Sequence, residues 1–184
     1  DFNKIHGRAL AKLVGGKFLE NQNLVGKYTK WIESQPVAKY TGYPYELLSN
    51  GIPTDLYKQV TTNRQFMGLV EKGKSSGKAL RLLTVVDTSG SMSAPCSGTD
   101  VPSITVAKSM AIYFSYFLNS RFSNIWLEFN SKVVAYQFNM GNEPLDKLKS
   151  MRSAVIGNTN FLGVADYLVK TLKSGVPESE FPDG

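Results

Sequence analysis

The stretch "ALRLLTVVDTSGSMSAP", residues 79–95, decides the fold. An almost continuous apolar and β-branched run stops at Asp87, and Ser89, Gly90 and Ser91 follow at once. Such a run predicts a central parallel strand over residues 80–86, covered on both faces. Ligands of open α/β sheets bind beyond the carboxyl ends of the strands, and Asp87 falls at that end. Asp87, Ser89 and Ser91 are spaced by two, so a tight turn can aim all three oxygens at one point. Gly90 lets the backbone bend there without a Cβ penalty. One carboxylate with hydroxyls is hard-oxygen chemistry, suited to Mg²⁺ or Mn²⁺ with waters retained and not to zinc or copper. The same residue types also build turns and cap helices, so "DTSGS" alone reads either way.

Downstream, the pattern alternates between strand and helix. Residues 103–119, "SITVAKSMAIYFSYFLN", predict a strongly apolar helix whose aromatics, Tyr113, Phe114, Tyr116 and Phe117, form its buried face. "SNIWLEFN" and "KVVAYQFN" predict two strands joined as a hairpin at "NS". "NEPLDKLKSMRS" and "NFLGVADYLVKTLKSG" predict helices, the second opening near Thr159 or Asn160 and closing at Gly175 before Pro177. The order strand, helix, strand, strand, helix, helix predicts an α/β domain, doubly wound, with helices on both faces of a mostly parallel sheet. Thr159, in "IGNTNF", supplies a further oxygen at the start of a helix after a glycine-containing loop.

Upstream, Leu24, Val25, Tyr28, Trp31 and Ile32 recur as one apolar stripe of a 3.6-residue period. They predict a helix that Pro36 stops, with Gly15 and Gly16 separating it from a shorter one before it. The chain is therefore read as a small helical segment over residues 1–35, a connector over 36–79 and an α/β domain over 80–184. The connector holds a short helix near Asp55 to Val70, and the polar "EKGKSSGK" marks the boundary.

Charge and composition narrow the classes. The net charge of +6 lies wholly before residue 80: residues 1–79 carry 12 Lys or Arg against 6 Asp or Glu, and residues 80–184 carry 9 of each. Lys12, Lys17, Lys27 and Lys30 are then either an electrostatic footprint for nucleic acid or a solvated helical face. The longest apolar runs are far below the roughly 18 residues of a membrane span, and the start has no signal-peptide pattern, so no membrane partner is expected. A lone Cys96 and a lone His6 argue against a disulfide scaffold and a thiolate or imidazole metal cluster, and they fit a reducing, cytoplasmic compartment. "GKSSGK" lacks the spacing of a phosphate-binding loop. Ser89 and Ser91 have no base nearby in sequence and no nucleophile elbow, so no enzyme is expected.

"VVDTSGSM" resembles the metal-ion-dependent adhesion site of von Willebrand factor type A (vWA) domains, whose signature is Asp-x-Ser-x-Ser. "GNTNFLGVADYLV" resembles the loop that contributes that family's threonine. The resemblance covers residues 80–184 and implies a Rossmann-like vWA sheet with Asp87, Ser89, Ser91 and Thr159 as metal ligands, directly or through water. It implies Mg²⁺ or Mn²⁺ as cofactor, and a macromolecular partner that supplies a carboxylate to an open coordination position. The family pattern has a further aspartate at the end of a later strand. Asp183 precedes that strand, so residues 80–184 are read as the first, incomplete part of such a domain. Within the superfamily the chain resembles most the Ro-type branch, and more closely a sister family of plants, fungi and large viruses or phages, in which "WIESQPVAKYTGYPYELL" is also at home. The Ro resemblance implies RNA as an alternative partner, with the vWA domain accessory. A viral assembly component with a vestigial metal site, in a virion or host cytoplasm, is the third reading.

Overall fold

The structure, a computed structural model, describes residues 1–75, 82–117, 122, 124–139, 141, 143–151 and 157–181. The chain is mixed α/β and divides into two compact units, one of residues 1–77 with 143–145, the other of residues 78–142 with 146–184.

The first unit is helical. Its helices are α1 (Gly7–Gly15), α2 (Phe18–Asn21), α3 (Val25–Ser34), α4 (Pro44–Leu48) and α5 (Leu56–Lys74). The apolar stripe of α3 explains its seat: Tyr28 and Ile32 are fully buried with Leu10, Val14 and Leu19, while Leu24, Val25 and Trp31 flank the same cluster. Tyr28 also shares a 2.9 Å hydrogen bond with Thr61 of α5, so its buried hydroxyl is satisfied. Residues 36–79, expected as a connector with a short helix near Asp55 to Val70, hold that helix as α5, longer by four residues at its end, and also α4; α5 packs against α1, α3 and α4. The reason lies in α5's own composition. Phe66, Leu69 and Val70 are buried, and the helix continues into the polar stretch as far as Lys74, where Lys72 and Lys74 complement the negative end of the helix dipole. Within "EKGKSSGK", therefore, residues 71–74 are helix, and residues 76–78 lie outside the described residues.

The segment before α4 is organised by one ion pair. Arg8 donates to both carboxylate oxygens of Glu46, at 3.0 and 2.6 Å, and Tyr40 donates to the same carboxylate at 2.7 Å. Arg8 holds the Glu46 carboxyl below its ordinary range, and burial pushes the Tyr40 phenol up to about 12. A Cβ on Gly42 would collide with both the Tyr40 ring and the Glu46 carboxylate, so a larger residue here would displace this hydrogen-bonded corner.

Among the described residues the second unit holds a three-stranded sheet in the order β1 (Thr84–Asp87), β2 (Ile125–Phe129), β3 (Val133–Gln137). β1 and β2 are parallel and β2 and β3 form the antiparallel hairpin expected from sequence. Helix α6 (Ser103–Phe114) packs against β1, and α8 (Phe161–Lys173) packs against β2 and β3. Helix α7 is Pro144–Ser150. Leu127, Phe129 and Val164 form the core beneath α8. Glu128, which points to the opposite face by the two-residue alternation of a strand, is in electrostatic reach of Lys108 on α6.

Several expectations are corrected here. Among the described residues β1 lies at the edge of the sheet and β2 in the middle, so the strand is not central. Val86 is 1% exposed but Val85 is 36% exposed, so β1 is not covered evenly on both faces. An apolar run reports that a strand forms, and not where it sits in the order. The strand also begins at Thr84, and residues 80 and 81 lie outside the described residues. The sheet is mixed, one pair parallel and one antiparallel, where a mostly parallel one was expected. Helix α6 ends at Phe114, residues 118 and 119 are outside the described residues, and Tyr113, Phe114, Tyr116 and Phe117 are half-buried. No helix among the described residues is long and apolar enough to cross a membrane.

Candidate metal centre

The parallel register pairs Asp87 with Phe129, so β1 delivers its carboxylate at the end of the sheet. The chain then leaves the strand in a turn that Asp87 itself shapes: its Oδ1 accepts the Ser89 amide at 2.8 Å. That bond folds Ser89 back, and the Ser89 and Ser91 hydroxyls share a hydrogen bond of 3.2 Å. Ser89 is 2% exposed while Ser91 is exposed, so the pair has one enclosed side and one side open to solvent. A 3-10 turn, Gly90–Ser93, completes the stretch.

Thr159 reaches the neighbourhood through its loop. The Gly90 amide donates to the Gly157 carbonyl at 3.3 Å, which joins the "DTSGS" turn to residues 157–160. That loop is anchored on its other side by the β2–β3 turn. Asn158 donates its amide to Ser131 Oγ at 3.1 Å, and Asn160 donates its amide to the Asn130 carbonyl at 2.8 Å. Gly157 has φ +83°, and a Cβ there would press on Ser131 Oγ, so both conformation and space call for glycine. Asn160 then accepts the Gly163 amide at 3.1 Å, an N-terminal cap that starts α8. Thr159 is exposed, and its hydroxyl makes no hydrogen bond to Asp87, Ser89 or Ser91 among the described residues.

Behind the turn is a polar network that the sequence did not announce. The buried Thr88 hydroxyl donates to Glu128 Oε1 at 3.1 Å and accepts from Asn130 Nδ2 at 3.0 Å, and the Thr88 amide donates to the Phe129 carbonyl at 2.9 Å. Glu128 is 8% exposed. This network clamps the strand end from the face opposite Asp87. A carboxylate inside the apolar strand "IWLEF" was the available signal.

The donor set can be tested against an ion. In octahedral coordination with bonds of 2.0–2.1 Å, neighbouring ligand oxygens stand about 3.0 Å apart. The 3.2 Å separation of the two serine oxygens is a few tenths of an ångström longer than one edge of that figure. Asp87 keeps its second oxygen clear of the Ser89 amide, so one carboxylate and two hydroxyls are available together. Among the described residues no three His, Cys, Asp or Glu side chains gather in a metal-binding group. A site here would therefore be a hard-oxygen, largely hydrated one.

Lys12, Lys17, Lys27 and Lys30 belong to the first unit and are all exposed. None forms an ion pair with an acidic side chain among the described residues. Asp183 lies outside the described residues. Compared with known protein families, curated proteins and solved structures, the chain gives no match.

Proposed function

We propose that the second unit is a doubly wound domain of the vWA type and acts as a divalent-metal-dependent protein-binding module, without catalysis. Asp87, Ser89, Ser91 and Thr159 would hold a hydrated Mg²⁺ or Mn²⁺, directly or through water. A bound ion would supply Lewis acidity toward a carboxylate of the partner. The observation that carries this reading is the 3.2 Å serine pair that follows the Asp87 carboxylate, Ser89 buried and Ser91 exposed. The chain's part is orientation: the Ser89 amide fixes the carboxylate, and the Gly90–Gly157 bond holds the Thr159 loop alongside.

Calorimetric titration of Mg²⁺ or Mn²⁺ into the protein and into Asp87→Ala tests it. Wild type should give a weak saturable heat, since affinity in oxygen sites follows ligand charge and rigidity, and the variant should give none. Equal heats from the two would leave "DTSGS" as a turn and a cap.

One observation favours a second reading, an RNA-binding protein in which this domain is accessory. The four lysines of the first unit are exposed and lack acidic partners among the described residues.

A further inference from the structure

Two large apolar side chains at the start of α8, directly after the Thr159 loop, stand largely in solvent. Phe161 is 69% exposed and Leu162 is 72% exposed, the two most exposed of the large hydrophobic side chains described. They follow the Thr159 loop directly. Asn160, one residue earlier, is tied to the Asn130 carbonyl, and the Phe161 ring stands edge-on to the Phe129 ring at 6.0 Å. Phe129 is the register partner of Asp87, so the Phe161 ring packs on the residue paired with the carboxylate, and Leu162 follows it in the chain. Transfer of such side chains from water is favourable, and leaving both outside has a cost that a binding surface recovers.

Charge decides what could cover them. In the turn at residues 87–93, the hairpin turn at 130–132 and the loop at 157–162, Asp87 is the only acidic residue and Lys132 adds a positive charge. A divalent ion on one carboxylate leaves a net positive site, which attracts an anion and repels a basic partner. We propose that Phe161 and Leu162 are the apolar half of the docking surface, and that the partner is an acidic peptide segment whose carboxylate has an apolar side chain as its immediate neighbour. This rests on the metal-dependent reading above and adds to it a specificity.

The test uses two ten-residue Gly-Ser peptides, one with Leu-Glu at its centre and one with Ser-Glu, titrated by NMR into the protein in excess Mg²⁺. The Leu-Glu peptide should bind about tenfold tighter, the order expected for burying much of a leucine. In Leu162→Ser, which keeps the Phe161–Phe129 contact, the preference should fall to about twofold or less while the calorimetric Mg²⁺ heat is unchanged. Equal affinities in wild type, or a preference that survives in Leu162→Ser, would overturn the inference and leave metal binding standing. Absence of any Mg²⁺ heat in wild type would overturn both.

Discussion

At Lys147 an ammonium group lies under an aromatic ring, its Nζ 3.8 Å from the Tyr116 centroid, with Ser115 Oγ at 2.8 Å and the side chain 2% exposed. No carboxylate pairs with it among the described residues. Burial pushes its pKa down to about 8 from the ordinary 10.5. Below pH 8 both folded and unfolded chains keep this proton, so burial is a constant cost. Between 8 and 10.5 the unfolded chain binds more protons than the folded one, and stability rises with pH. Denaturant unfolding at pH 7.5 and 9.5 should show wild type gaining roughly 1–2 kcal/mol relative to Lys147→Met across that interval. A flat difference between the two proteins would mean that the ring and the hydroxyl fully compensate for lost water. Sequence showed a lysine at helical spacing and nothing of this, because burial of one cation depends on what packs over it. The turn after Asp87, by contrast, was legible, because the spacing of Asp87, Ser89 and Ser91 already carried it.

Elements divide in the same way. The α3 stripe and the α8 cap were legible because periodicity and capping residues act locally. The edge position of β1 among the described residues was not, since strand order depends on which segments meet across the chain. Nor was the Thr88–Glu128–Asn130 clamp, which joins residues about forty positions apart. α4 was missed because a five-residue helix starting at Pro44 looks, in sequence, like the turn "GYPYE". Two glycines test how far these elements depend on close approach. Gly157→Ala forces a positive-φ alanine against Ser131 and should cost about 1–3 kcal/mol, with Mg²⁺ affinity falling severalfold as the Thr159 loop shifts. Gly42→Ala should destabilise by a similar 1–3 kcal/mol, roughly, through the Tyr40–Glu46 corner, and leave Mg²⁺ affinity alone. Thermal unfolding and calorimetry on both variants separate the two; a Gly42→Ala protein with altered metal affinity would contradict this assignment.

Over the whole molecule, charge and chemistry are segregated. The lysine excess belongs to the helical unit, and the candidate metal centre to the α/β unit. If the helical unit contacts RNA, retention should fall steeply with salt, and the fourfold change Lys12, Lys17, Lys27 and Lys30→Gln should flatten that slope by about 0.7 for each lost phosphate contact. Filter binding from low to moderate salt reads this directly. Retention that is absent at low salt, or identical in the fourfold variant, removes the RNA reading and leaves the protein-binding one. That reading has a more direct measurement still. Crystals of the protein grown with Mn²⁺ and measured for anomalous scattering locate the ion without reference to any partner. One strong peak is expected at the end of β1, bounded by the oxygens of Asp87, Ser89 and Ser91 with Thr159 alongside. Manganese bound elsewhere, or a "DTSGS" turn that stays without it at saturating concentration, would contradict it.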